Sequence, residues 1–172
     1  MHSQGVLPVL SVHSHLPFKG FKACELAREA TAAVSCQRRD LYKLSLITAK
    51  SKLCYQEKEI DIEGSVLFYA SPHAAYSWDS LSQVQSGYSC FFTEEFLRRH
   101  PYLTSFLQSP LLGLGDVAVF PLTQRQKEDI AAIFGQLLSA QDSGYVFKHE
   151  LIGNCLHLLT HEALKRLPMD KG

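Results

Sequence analysis

His157 and His161 stand four residues apart, close enough to share one helix face, and two imidazoles so placed can form half of a zinc site. The run carrying them reads HLLTH, however. It lacks the glutamate that acts as base beside the metal in an H-E-x-x-H site, and no third ligand stands near. A surface or interface pair is the expectation. The cysteines, Cys24, Cys36, Cys54, Cys90 and Cys155, form an odd, widely spaced set without a C-x-x-C pair, which fits free thiols in a reducing compartment. Cys54, Cys90 and Cys155 lie among apolar neighbours and read as small packing residues. The chain has no glycine-rich phosphate loop, no G-x-S-x-G elbow and no Cys/His dyad, so no nucleophile has a neighbouring base and no catalytic residue is expected.

The aromatic residues point elsewhere. His73, Tyr76 and Trp78 follow the turn at Pro72, and Tyr88 and Cys90 lie on the next apolar run. Aromatic walls with a few hydroxyl and imidazole groups suit a pocket that orients a small polar molecule. The same residues can equally fill a core and find local hydrogen bonds. Ser45, pointing opposite to Leu44 and Leu46, is a further polar candidate. Lys plus Arg and Asp plus Glu both number 17, and Arg38-Arg39 and Arg98-Arg99 are isolated, so the basic face of a nucleic-acid-binding module is missing.

These side chains need a scaffold, and 172 residues at 46% hydrophobic suffice for one domain with a sizeable core. The N-terminal MHSQGVLPVLSVHSHLPFKG mixes Pro, Gly, Ser and His without period and lacks the basic start of a signal peptide; it reads as an extended arm. A short strand is expected at Phe21 to Leu26. YKLSLIT predicts a strand, and Lys50-Ser51, Gln56-Glu57-Lys58 and Glu63-Gly64 are read as turns of a meander. Ser65 to Ala70, Tyr76 to Trp78, Tyr88 to Phe92 and Val117 to Pro121 follow as strands. Thr93 with Glu94-Glu95 starts a helix, a second helical piece is read at Leu103 to Leu107, and a loop at Gly113 to Asp116.

From Thr123 the period becomes 3.6: Ile130, Ile133, Phe134, Leu137 and Leu138 line one side of a helix that ends near Asp142-Ser143-Gly144. The helix from about Val146 to Leu167 has an apolar sector wide enough for two partners. No run of about 18 apolar residues occurs, so the expectation is a soluble cytoplasmic protein with no membrane contact.

The ordered set YKLSLIT, KLCY, EGSVLFYASPHAAYSW, GYSCFFTEEFL and KHELIGNCLHLLTHEAL, from about Phe21 to Leu167, resembles the N-terminal effector-binding and dimerisation domain of AraC-type bacterial transcription regulators, in Bacteroidetes-type versions. The resemblance implies a mainly β fold with C-terminal helices: a cupin-like double-stranded β-helix, or jelly-roll barrel, followed by an antiparallel helix pair. Residues 1–20 would be the arm and a candidate lid, 21–122 the effector-binding barrel and 123–167 the helical dimerisation segment. Promoter DNA would be bound only through a separate C-terminal domain with two helix-turn-helix motifs, absent from this chain. The implied partners are a small-molecule effector and a second copy of the chain, with Leu151, Cys155, Leu158 and Leu159 as candidate dimer contacts.

A metal-binding cupin needs an H-x-H pair, a glutamate and a later histidine. Here His73 is followed by Ala74 and Ala75, and Tyr88, Ser89 and Cys90 stand on the later strand, so neither metal nor cofactor is expected. The competing expectation is a small cupin enzyme, an isomerase or dioxygenase, which would require a metal or an acid–base pair inside the barrel. Neutral aromatic and hydroxyl groups leave a sugar, an aromatic acid and a lipid-like molecule all open as effectors.

Overall fold

Alternation of apolar and polar residues carries two strands much further than the turn-like dipeptides suggest. The computed structural model describes residues 20–26, 41–81, 85–100 and 117–165. Within them β1 (Phe21–Glu25), β2 (Tyr42–Tyr55), β3 (Lys58–Ala70), β4 (Tyr76–Ser80), β5 (Ser86–Phe92) and β6 (Val117–Pro121) alternate with α1 (Glu94–Arg98) before α2 (Gln124–Gln141) and α3 (Lys148–Leu164). Neither Lys50-Ser51 nor Glu63-Gly64 is a turn, contrary to the sequence reading. Exposed Lys50 and buried Ser51 simply continue the alternation of β2, and Gly64, at φ +101°, lets β3 run on where most side chains would be strained. The turn at Gln56-Glu57 holds. Both residues have positive φ, 51° and 64°, as a two-residue hairpin loop of the primed type requires.

The strands pair antiparallel in the order β1-β5-β2-β3-β6. β2 is the spine: β3 runs along its whole length on one side, while β5 pairs Tyr42–Thr48 and β4 pairs Ser51–Tyr55 on the other. Successive side chains of a strand point to opposite faces, so the sheet separates two cores. Leu44 and Leu46 of β2, Leu67 and Tyr69 of β3 and Cys90 and Phe92 of β5 pack under α2 and α3, against Ile130, Phe134, Leu137, Ile152, Leu156 and Leu159. Ile47, Ala49 and Leu53 of β2 join Val66, Phe68, Ala70, Trp78 and Val117 on the opposite face.

The helices start where expected. Thr93 Oγ1 accepts from Phe96 N at 3.1 Å, and Thr123 and Gln126 form a reciprocal capping box at 3.2 and 2.8 Å. At the far end of α2 the buried Gln141 amide mimics a neighbouring strand. Its Oε1 accepts from Ala23 N at 2.8 Å and its Nε2 donates to Ala23 O at 2.9 Å, tying the helix pair to the outer side of β1. The wide apolar sector of α3 is explained by burial within one chain: Cys155 faces α2, donating to Gln136 Oε1 at 3.7 Å, and Ile152, Leu156 and Leu159 face the sheet core. The predicted arm at 1–20, apart from Gly20, and the readings at 103–107 and 113–116 lie outside the described residues.

His100, 8% exposed, closes α1 and lies 4.5 Å from the Phe96 ring. Burial holds its imidazole below the ordinary value of 6.5; His149 pushes the same way, Glu150 opposes, and Arg99 adds to the lowering. The unfolded chain therefore takes up this proton first. Stability is intact above the ordinary value and falls as the pH drops through it. Thermal melts from about pH 7.5 to about pH 5 should show Tm declining, and His100→Gln should flatten part of that slope. His157, held low by burial and then by His161, supplies a further part.

Candidate functional site

On the face of β2 away from the helices the alternating positions are Lys43, Ser45, Ile47, Ala49, Ser51 and Leu53. Opposite them β3 offers Val66, Phe68 and Ala70, β5 offers Ser89 and Phe91, and β4 offers Trp78. Rings dominate this surface. Phe68 meets Tyr76 edge-on at 5.2 Å and 65° and Trp78 at 5.3 Å and 68°, the offset geometry that aromatic quadrupoles favour.

A hydroxyl pair and an ammonium interrupt the apolar lining at one end. The buried hydroxyls of Ser45 and Ser89, cross-strand partners, are 2.7 Å apart. Beside them the half-buried Lys43 ammonium lies 5.8 Å from the centroid of Phe68 and 5.8 Å from that of Phe91. Both distances fall near the outer limit of cation–π reach, so the ammonium sits over two rings on an otherwise mainly apolar strand face. Cys24, packed against Leu41 and Phe91, also lies near: burial raises its thiol pKa, while Lys43 and Lys22 pull it down.

Replacing Ser45 with Ala should cost about 1–3 kcal/mol, because the Ser89 hydroxyl is left buried without its partner. The Ser45→Ala/Ser89→Ala double variant should cost clearly less than the sum of the two single changes in urea unfolding.

The structure brings together some of the residues singled out in the sequence and separates others. Ser45, Tyr76 and Trp78 share the aromatic face. Tyr88 and Cys90 do not: the register that sets Ser89 opposite Ser45 turns them to the helix side. There Tyr88 stacks on Phe134 at 5.4 Å and 10°, and Cys90 is fully buried, its thiol pKa pushed strongly upward by desolvation. His73 is exposed in the turn before β4, where its backbone N donates to Ser71 Oγ at 3.2 Å. Lys43, Ser89 and Phe91 were missed by the sequence reading. A lysine in step with Ser45, Ile47 and Ala49 was the available signal for the first.

Among the candidate dimer contacts, Cys155 and Leu159 are buried at 1% and 0% in the chain's own core, which leaves them no surface for a partner. Leu158 is 50% exposed, and half-buried Leu151 lines an open groove of about 390 Å³ between α2 and α3 with Gln136, Ser139 and Tyr145. His157 and His161 face each other at 3.1 Å on the outside of α3. Among the described residues no group of three or more His, Cys, Asp or Glu side chains is placed to hold a metal ion, and no helix is long and apolar enough to cross a membrane.

No protein-family model matches the chain, and no curated protein does. Solved structures match it. The AraC-like transcriptional activator CuxR superposes over 87% of this chain and 52% of its own length, with a TM-score of 0.54 at 12% identity. ToxT from Vibrio cholerae bound to (E)-4-(8-methylnaphthalen-1-yl)but-3-enoic acid matches over 86% of this chain and 58% of its own, with a TM-score of 0.52 at 17% identity. A further ToxT crystal form covers 88% of this chain and 60% of its own at a TM-score of 0.50 and 13% identity. The chain thus spans between 52% and 60% of the length of these proteins. At such identities the likeness shows the fold: a mainly β, antiparallel architecture followed by a C-terminal helix pair, shared with these solved structures.

Proposed function

We propose that this chain is the effector-sensing part of an AraC-type transcription regulator and that its effector is a hydrophobic carboxylic acid. The acid would lie on the aromatic face of the sheet with its carboxylate at Lys43. The observation that carries the reading is the Lys43 ammonium seated against Phe68 and Phe91 beside the Ser45–Ser89 hydroxyl pair, where an anion gains a charge-assisted bond and its apolar body meets rings. The structural neighbour ToxT, bound to an aromatic butenoic acid, supports an acid of this kind. The polar groups around this end of the face are the amines of Lys43 and Lys22, the Ser45 and Ser89 hydroxyls and the Cys24 thiol, whose pKa burial raises.

Such a ligand controls transcription only through its different affinity for two arrangements of the molecule. Gln141, which locks the end of α2 to β1, adds a polar link to the apolar core that joins sheet and helices, and α3 would present half-exposed Leu158, with Leu151, toward a second copy. DNA binding would reside in a helix-turn-helix domain outside this chain.

Calorimetric titration with hexadecanoic acid and its methyl ester tests the reading. The acid should bind and the ester should not, and Lys43→Met should weaken the acid at least about tenfold, since a hydrogen bond to a charged group contributes about 1.5–3 kcal/mol. Equal binding of acid and ester, or an unchanged Lys43→Met, would refute it.

A further inference from the structure

The same face carries a second polar position at its other end. In the β2–β4 pairing Leu53 stands opposite Trp78 and Ser51 opposite Ser80, so Ser51 and Trp78 are diagonal neighbours on one face, with Cα atoms about 7–8 Å apart. Both are buried, at 1% and 6% exposure. Among the described residues, Ser51 Oγ and Trp78 Nε1 each lack a hydrogen-bond partner. An indole N–H can only donate, and a hydroxyl donates readily. Proteins seldom bury such groups unsatisfied, because each has lost its water without a replacement. Two orphaned donors at diagonal positions, on the face proposed to hold the effector, call for an acceptor that the described residues do not supply.

We infer that Ser51 and Trp78 form a distal subsite for an oxygen acceptor at the far end of the effector, an inference that rests on the reading of Lys43 as the carboxylate anchor. Lys43 and Ser51 are eight positions apart on one strand, at most about 27 Å between Cα atoms if β2 were fully extended. The Lys43 side chain shortens the span that the ligand must bridge. Between the two ends the surface is apolar, with Ile47, Val66 and Phe68 beside the small Ala49.

The acceptor is neutral. The subsite offers two uncharged donors, and the strand cations on either side of Ser51, Lys50 and Lys52, are turned to the other face, where Lys52 Nζ lies 3.5 Å from Glu59 Oε1. A second carboxylate would be desolvated without a counter-charge. The class of effector is therefore a long-chain acid bearing a hydroxyl or carbonyl near its other terminus, rather than a simple fatty acid or a diacid.

Calorimetric titration of wild type, Trp78→Phe and Ser51→Ala with hexadecanoic acid and its ω-hydroxy derivative tests this. The hydroxy acid should bind wild type about tenfold tighter than the plain acid. Trp78→Phe should bring the ratio of the two affinities to about one, whatever the altered ring contact does to the plain acid, and Ser51→Ala, a smaller change, should reduce that ratio independently. Equal affinities of the two acids for wild type, or variants that weaken both acids alike, would overturn the distal subsite while leaving Lys43 as the anchor. Failure of both acids to bind would overturn the anchor reading and this inference together.

Discussion

Gly87→Ala should destabilise the protein by at least about 3 kcal/mol and prevent stable pairing of β5 with β2. Gly87 has φ +132°, outside the range that side-chain-bearing residues adopt. A Cβ there would lie 1.8 Å from Leu46 O and 2.8 Å from Leu46 C. Those atoms belong to the spine strand and cannot swing aside as a flexible side chain could. Gly64→Ala is the internal control: its φ of +101° is also strained, but a Cβ would meet nothing within 4 Å, so only the backbone strain of about 1 kcal/mol is expected. Urea unfolding followed by tryptophan fluorescence measures both. A Gly87→Ala variant within about 1 kcal/mol of wild type would show that the close approach of β5 to Leu46 is wrong.

Phe134→Ala should cost about 3–5 kcal/mol. Phe134 is fully buried where α2 meets both the sheet and α3, and its ring stacks on Tyr88 at 5.4 Å. Truncation removes that stack and opens a cavity that helices pinned by the capping box and by Gln141 cannot collapse to fill. Leu158→Ala, half exposed on α3, should stay within about 0.5 kcal/mol in the same assay at low protein concentration. Comparable costs for the two would mean that α2 does not dock as described.

The helices were legible because their signal is local. Ile130, Phe134 and Leu137 repeat at 3.6 residues, and the hydroxyl caps at Thr93 and Thr123 announce their own first turns. The strands were legible as runs but not as lengths. Lys50-Ser51 and Glu63-Gly64 look like punctuation, yet only partners on both sides decide whether a strand continues: β3 runs past Lys50-Ser51 in register, and β2 past Gly64.

The site suffered most from the missing register. Tyr76 and Trp78, two residues apart, had to share a face, as did Tyr88 and Cys90. Whether the two pairs share the same face depends on Leu53 meeting Trp78 and Ser45 meeting Ser89, which no single run of sequence states. A lysine on an apolar face was visible, but its meaning required Phe91, distant in sequence and adjacent in space. On α3, periodicity gave the width of the apolar sector and left open who covers it. The chain itself covers Cys155 and Leu159.

Isotope-filtered NMR of the protein with carbon-13-labelled hexadecanoic acid tests most directly whether the face of β2 away from the helices is the effector site. Contacts from the acyl chain to the ring protons of Phe68 and Trp78, with the carboxyl end nearest Lys43, are the predicted result. Contacts to Tyr88 and Phe134 on the helix side, or none to either set at saturating ligand, would contradict it.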